Sequence, residues 1–159
     1  MRRGMRWWKL LPAVLLCALV FTGAALAMGG RPGVPQIRIE DQYGMLSPTG
    51  QVGAVFMKIE NSGSGDDALL GAQANIPGSV AEIHDVKNGK MVKGEKIDIP
   101  AGNTTELKPR GLHIMLFKMP KDTKEGTEFT LTLIFEKSGK KQVPVKFTKA
   151  SEAGMHHHH

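Results

Sequence analysis

Cysteine is almost missing from this chain: Cys17 is the only one, and it lies inside an apolar N-terminal stretch. The remainder therefore has neither disulfides nor thiolate ligands. That excludes a blue-copper electron-transfer centre, which requires a thiolate. Histidine is nearly as scarce, with only His84 and His113 besides the run His156–His159 at the C-terminus. No glycine-rich phosphate loop leads into a helix, and no nucleophile elbow surrounds any serine. Beyond the N-terminal stretch no segment sustains a helical period, so long amphipathic helices are not expected.

The N-terminus has the three parts of a secretory signal. Arg2, Arg3, Arg6 and Lys9 form a basic start, Leu10–Val20 an apolar core, and Ala25-Leu26-Ala27 a small-x-small cleavage site. Residues 1–27 are thus expected to be removed, an uncleaved membrane anchor being the alternative. Cys17 follows Leu16 rather than a small residue, so lipoprotein processing there is not expected. The leader holds four of the 21 basic residues and none of the 15 acidic ones, so the net charge falls from +6 to +2 without it. Nucleic-acid binding loses its electrostatic support. The 132 residues that follow make one domain. The expected product is periplasmic or otherwise exported, touching a membrane only through the leader if that is retained.

Residues 28–35 read as a flexible Gly/Pro-rich leader, 36–148 as the folded domain and 149–159 as a disordered His/Met tail. Within the domain, short alternating or β-branched runs are separated by turn residues. Candidate strands are Val34–Glu40, Val52–Glu60, Ala68–Ala72, Ser79–His84, Lys96–Ile99 and Thr104–Lys108. Leu112–Lys118, Thr127–Glu136 and Gln142–Thr148 complete the set. Strands at such spacing predict an all-β antiparallel sandwich or barrel. Gly65-Asp66-Asp67 reads as a turn, and the lysine-rich segment Lys87–Lys96 as a solvated loop.

Each internal histidine has a methionine nearby: Met91 follows His84, and Met115 follows His113 by two residues. Imidazoles and thioethers form a soft, uncharged donor set that suits Cu(I) better than Zn(II), Mg(II) or Ca(II). In an oxidising compartment, thioethers and imidazoles are the soft ligands that remain when thiols are avoided. Strand alternation puts Leu112, Ile114 and Leu116 on one face and His113 and Met115 on the other, about 7 Å apart at Cα. By the same alternation Glu82 and His84 share a face, with Ala81 and Ile83 opposite. Met57 reads as core, whereas Met45 and Met119 stay open. Taken singly, a strand histidine is more often a surface group and a methionine more often filler.

Several stretches resemble the PCuAC family, the periplasmic copper chaperones that supply Cu(I) for cytochrome c oxidase assembly. They are GAVFMKIEN at Gly53–Asn61, AEIHD at Ala81–Asp85, IDIPAGNTTELKPRGLHIMLF at Ile97–Phe117 and LTLIFEKSG at Leu131–Gly139. The resemblance implies a cupredoxin-like Greek-key β-sandwich. It implies copper ligands in the order His, Met, His, Met, which fall on His84, Met91, His113 and Met115. Six residues separate His84 from Met91, where the family usually has ten. Lys93, Tyr43 and Met45 stand where relatives often carry Met, Trp and Arg. Some relatives have a C-terminal extension that binds Cu(II), and Met155, His156, His157, His158 and His159 resemble it.

The function so implied is a non-enzymatic, exported Cu(I) carrier. Its partner would be a copper-accepting protein, either a cytochrome c oxidase subunit or another copper chaperone. The rival expectation is a metal-independent exported β-sandwich that binds a protein or cell-envelope partner. Imidazole ligates only when neutral, so copper uptake should weaken in acid.

Overall fold

The computed structural model describes residues 33–149. The expected signal sequence 1–27, most of the expected leader 28–35 and the candidate tail ligands Met155 and His156–His159 lie outside them. Ten strands and no helix make up the described residues: β1 (Ile37–Leu46), β2 (Gly53–Asn61), β3 (Asp67–Ala74), β4 (Val80–Lys87), β5 (Lys90–Lys93), β6 (Ile97–Ile99), β7 (Asn103–Leu107), β8 (His113–Phe117), β9 (Glu128–Phe135) and β10 (Gly139–Thr148). Their order across the sheet is β5-β4-β8-β2-β1-β10-β9-β3-β6, and β7 pairs with the second half of β2.

Strand β10 joins the two layers. Its first eight residues pair with β9, while Phe147 and Thr148 pair with Gly44 and Met45 of β1. That β1–β10 pairing is parallel, whereas the other ladders among the described residues are antiparallel, as expected. Parallel neighbours need a long crossover between them, and here almost the whole domain serves as one. The sheet folds at β10 into a sandwich with a single core. Val55, Ile59, Ile83, Ile114 and Leu116 come from one layer, and Leu69, Leu131, Leu133, Phe135 and Val145 from the other. Phe147 fills the fold line and meets Phe129 with ring centroids 4.8 Å apart. A Cβ on Gly44 would lie 2.7 Å from the Phe147 ring, so glycine is required where β1 crosses it.

The strand runs read from the sequence recur with two differences. Strand β1 begins at Ile37 and continues to Leu46, through a register shift between Glu40 and Tyr43. Asp41 there takes φ 53°, a left-handed conformation that hides the strand's continuation from a simple alternation count. The second difference is β5, which lies inside the segment expected to be a solvated loop.

Two buried polar side chains hold the turns in place. Asn61 is fully buried and uses both ends of its amide. Its Nδ2 donates to the carbonyls of Gly65 and Ile99, and its Oδ1 accepts from the N–H groups of Gln36 and Gly63. Asp67, expected in a turn but found as the first residue of β3, is a buried carboxylate that accepts backbone N–H bonds from Ala68, Lys137 and Ser138 at 2.8, 2.8 and 3.0 Å. It thereby ties β3 to the turn between β9 and β10. Burial pushes the Asp67 pKa up, but the hydrogen bonds from Ser138, Lys137 and Ala68 outweigh it, and the net value lies below the ordinary one.

A carboxylate with a depressed pKa contributes stability above its unfolded value and loses it as the pH falls through the folded one. Asp67→Asn puts amide donors against N–H groups and should lower stability by about 1.5–3 kcal/mol at neutral pH. The gap between the two proteins should narrow below about pH 4. Denaturant titrations at neutral and acid pH check both statements.

Candidate metal centre

The face of β4, β8 and β2 that points away from the core carries the histidines. His84 lies directly opposite His113 in the β4–β8 ladder, and Glu82 opposite Met115. Directly opposed residues have Cα atoms about 4.5–5.5 Å apart and point to the same side of the sheet. The two imidazoles therefore stand next to each other, with ring centroids 5.9 Å apart. Ile83 and Ile114, one residue away, face the core and are almost completely buried. The site occupies the face of the sheet beside its β5 edge.

Met91 arrives by a tight hairpin. Asn88 and Gly89 take φ values of 52° and 73°, the left-handed pair of a two-residue turn matched to strand twist. The ladder then places Val86 opposite Met91 and His84 opposite Lys93. Met91 is thus a diagonal neighbour of His84, about 7–8 Å away at Cα and on the same face. The six-residue interval is the length of this hairpin. Reading Lys87–Lys96 as a loop weighed its lysines and passed over Asn88-Gly89, a strong short-range hairpin signal.

Met91, His113 and Met115 line one shallow depression of ≈ 380 Å³ together with Met45, Ala54 and Phe56. Met45 enters it because the register runs Met45–Ala54–Met115 across β1, β2 and β8, and Ala54 is small. Of the open methionines, Met119 is 2 % exposed in the core, where Met57 also packs. His113 is 4 % exposed and Met115 9 %, whereas Met91 is 54 % exposed. The four side chains named from the sequence therefore share a face, three of them within this depression and His84 beside His113. Among the described residues no three His, Cys, Asp or Glu side chains are placed to hold a metal ion by themselves. A metal held on this face would have to use the thioethers.

Hydrogen bonds fix which imidazole nitrogens are left over. The Nδ1–H of His113 donates to the Gly111 carbonyl at 2.7 Å, so its Nε2 carries the free lone pair. That carbonyl is positioned by the turn between β7 and β8. There Arg110 takes φ 67°, Gly111 N–H donates to the Lys108 carbonyl, and Lys108 N–H donates to the Leu112 carbonyl. His84 Nε2–H donates to Glu82 Oε2 at 3.1 Å. Its Nδ1 is buried without a hydrogen-bond partner, the only such side-chain atom among the described residues. A buried polar atom left unpaired is costly, and a metal ion bound to this nitrogen would remove that cost. Glu82 also accepts from Lys93 Nζ at 2.8 Å. Lys93 and then His84 hold the Glu82 carboxyl below the usual range, so it is ionised at neutral pH.

Residues 35–147 match the model of the family described as "Putative lipoprotein LpqE-like". The chain belongs to the LpqE-like family. A relative, "Putative lipoprotein Lxx21020" of Leifsonia xyli subsp. xyli (strain CTCB07), is 30 % identical over 158 residues, spanning 91 % of this chain and 95 % of that one. Among solved structures, the copper-bound PCuAC domain from PmoF2 superposes with a TM-score of 0.60 at 22 % identity, covering 77 % of this chain and 99 % of that domain. The apo PCuAC domain from PmoF1 gives 0.63 at 22 % identity, covering 76 % and 99 %. CuI-DR1885 from Deinococcus radiodurans, solved in solution, gives 0.57 at 20 % identity, covering 70 % and 79 %. This LpqE-like protein has the β-sandwich fold of the PCuAC domains.

The hairpin's dependence on Gly89 can be tested directly. Open space surrounds the position a Cβ would take, so Gly89→Val acts through its left-handed φ alone. It should lower stability by about 1–2 kcal/mol and weaken the Val86–Met91 cross-strand contacts, read by denaturation and by amide and side-chain NMR.

Proposed function

We propose that this LpqE-like protein is an exported carrier of Cu(I), which it holds between His84, His113, Met91 and Met115 and passes on by ligand exchange. The observation that carries the reading is the pair of adjacent imidazoles. Each has one nitrogen engaged as a donor, one of the remaining nitrogens is buried without a partner, and a methionine flanks the pair on either side. Four neutral donors leave the site with only the ion's own charge and match a soft monovalent cation.

Differences in burial suggest how transfer would proceed. His84, His113 and Met115 are mostly enclosed, whereas Met91 projects from an edge strand whose four residues are all exposed. Met91 is therefore the ligand that an incoming donor displaces first. A recipient with thiolate ligands would bind Cu(I) more tightly than two thioethers and two imidazoles, which gives the transfer its direction. The copper-bound PCuAC domain from PmoF2 and CuI-DR1885 share this fold and support the reading. The recipient would be a cytochrome c oxidase copper site or another copper chaperone. The lipoprotein names of the relatives and the signal-like N-terminus support export. Within the described residues no helix is long and apolar enough to cross a membrane. No step in this reading turns over a substrate, so the protein acts as a carrier and not an enzyme.

A short His84–Met91 interval would favour the metal-independent reading if it kept Met91 away from the histidines. The hairpin accounts for that length while keeping Met91 on the histidine face. The tail Met155–His159 would form a separate store for Cu(II). Strand β10 ends beside Met45, so eight further residues, spanning at most about 3.3–3.6 Å each, bring His156 within reach of the depression.

A chain lacking Met155–His159 should bind one Cu(I) and no Cu(II). The double variant His113→Ala, Met115→Ala should lose more than about 100-fold in Cu(I) affinity, the upper end of what outer partners contribute. Competition titrations with a Cu(I) chelator measure both. Unchanged affinity in the double variant would contradict the assignment of the site, and Cu(II) uptake without the tail would contradict the store.

A further inference from the structure

Glu82 sits in the centre of a short chain of polar contacts that the family resemblance does not assign. One of its oxygens accepts from Lys93 Nζ at 2.8 Å, and the other from His84 Nε2–H at 3.1 Å. All three residues lie on the histidine face, because His84 is opposite Lys93 and Glu82 is two residues before His84. The His84 ring is itself held between two others, 5.9 Å from that of His113 and 5.7 Å from that of Phe117. Its Nδ1 has no partner and no contact with solvent.

We infer that Glu82, held by Lys93, is a positioning residue that fixes His84 in its Nε2–H form, so that the centre presents Nδ1 of His84 and Nε2 of His113 to the metal. The two imidazoles would then bind through different nitrogens. Each opposite nitrogen is tied down by an acceptor of a different kind, a carboxylate for His84 and a backbone carbonyl for His113. A carboxylate acceptor fixes the tautomer, restrains the ring and raises the basicity of the ligating nitrogen, whereas a carbonyl does the last more weakly. His84 is therefore the stronger nitrogen donor, and Glu82 its cause. Lys93 keeps the carboxylate from turning to solvent and offsets its charge next to a cation site. The metal-facing half of this inference rests on the Cu(I) reading above, whereas the tautomers belong to the metal-free protein.

Nitrogen NMR of the uniformly labelled full chain, without metal, reads the tautomers directly. The expected result is a protonated Nε2 on His84 and a protonated Nδ1 on His113. In Glu82→Ala the His84 preference should be lost, with His113 unchanged and Cu(I) affinity at this site lowered by roughly 10–100-fold. Glu82→Gln, whose side-chain carbonyl still accepts from Nε2–H, should restore the tautomer and much of the affinity. Lys93→Ala should lose less than Glu82→Ala. Added Cu(I) should perturb Nδ1 of His84 and Nε2 of His113. An Nδ1–H form of His84 in the unsubstituted chain, or a tautomer unmoved by Glu82→Ala, overturns the inference. The expected tautomers in a chain that takes up no Cu(I) would uphold the role of Glu82 and contradict the copper reading instead.

Discussion

The centre depends on the register between β4 and β8. Antiparallel pairing places His84 opposite His113, and side-chain alternation does the rest. A slip of one residue would bring Ile83 or Asp85 across from His113 and break the donor pair. The register is set by burial. Ile83 and Ile114 lie opposite each other on the core face, 4 % and 0 % exposed, and a one-residue slip would turn one of them outward. The hydrophobic core therefore fixes the geometry of a polar site to which it contributes no atom. The Asn88-Gly89 turn extends the same control by one strand and brings Met91 to the same face.

This division of labour explains which features could be read from the sequence. Leu112–Phe117 alternates so cleanly that the opposite facing of Ile114 and His113 follows from strand geometry alone. The spacing of short runs gave the all-β class. Sequence left open which strands are neighbours, since nothing local in His84 or His113 specifies that β4 lies against β8. The resemblance to PCuAC domains implies only that His84 and His113 share a site. The Lys87–Lys96 segment looks like a loop by its charge, yet it holds β5 after a tight turn. Asn88-Gly89 was the available signal. The continuation of β1 past Asp41 is hidden by a bulge, and Met45, two strands from Met115, reaches the depression across the small Ala54. Neither follows from a pattern along one strand.

The polar contacts around the centre follow the same logic as those that hold the fold. Asn61 and Asp67 are buried with their bonding capacity met, and they lock turns. His113 and His84 are enclosed with one nitrogen met and one left over. Among the described residues, the one buried side-chain polar atom left unpaired is Nδ1 of His84, within the proposed site. An unpaired buried nitrogen costs stability, and a metal bound to it in the proposed site would recover that cost. In the proposed carrier the exposed Met91 would ease release.

The central claim is that the β4–β8 register assembles a mixed nitrogen–sulfur site for Cu(I). X-ray absorption of the chain lacking Met155–His159, loaded with one equivalent of Cu(I), tests it most directly. The account predicts both imidazole nitrogen and thioether sulfur in the first coordination shell, with sulfur reduced in Met91→Leu and in Met115→Leu. A shell of nitrogen or oxygen alone, or one unaffected by either substitution, would contradict it.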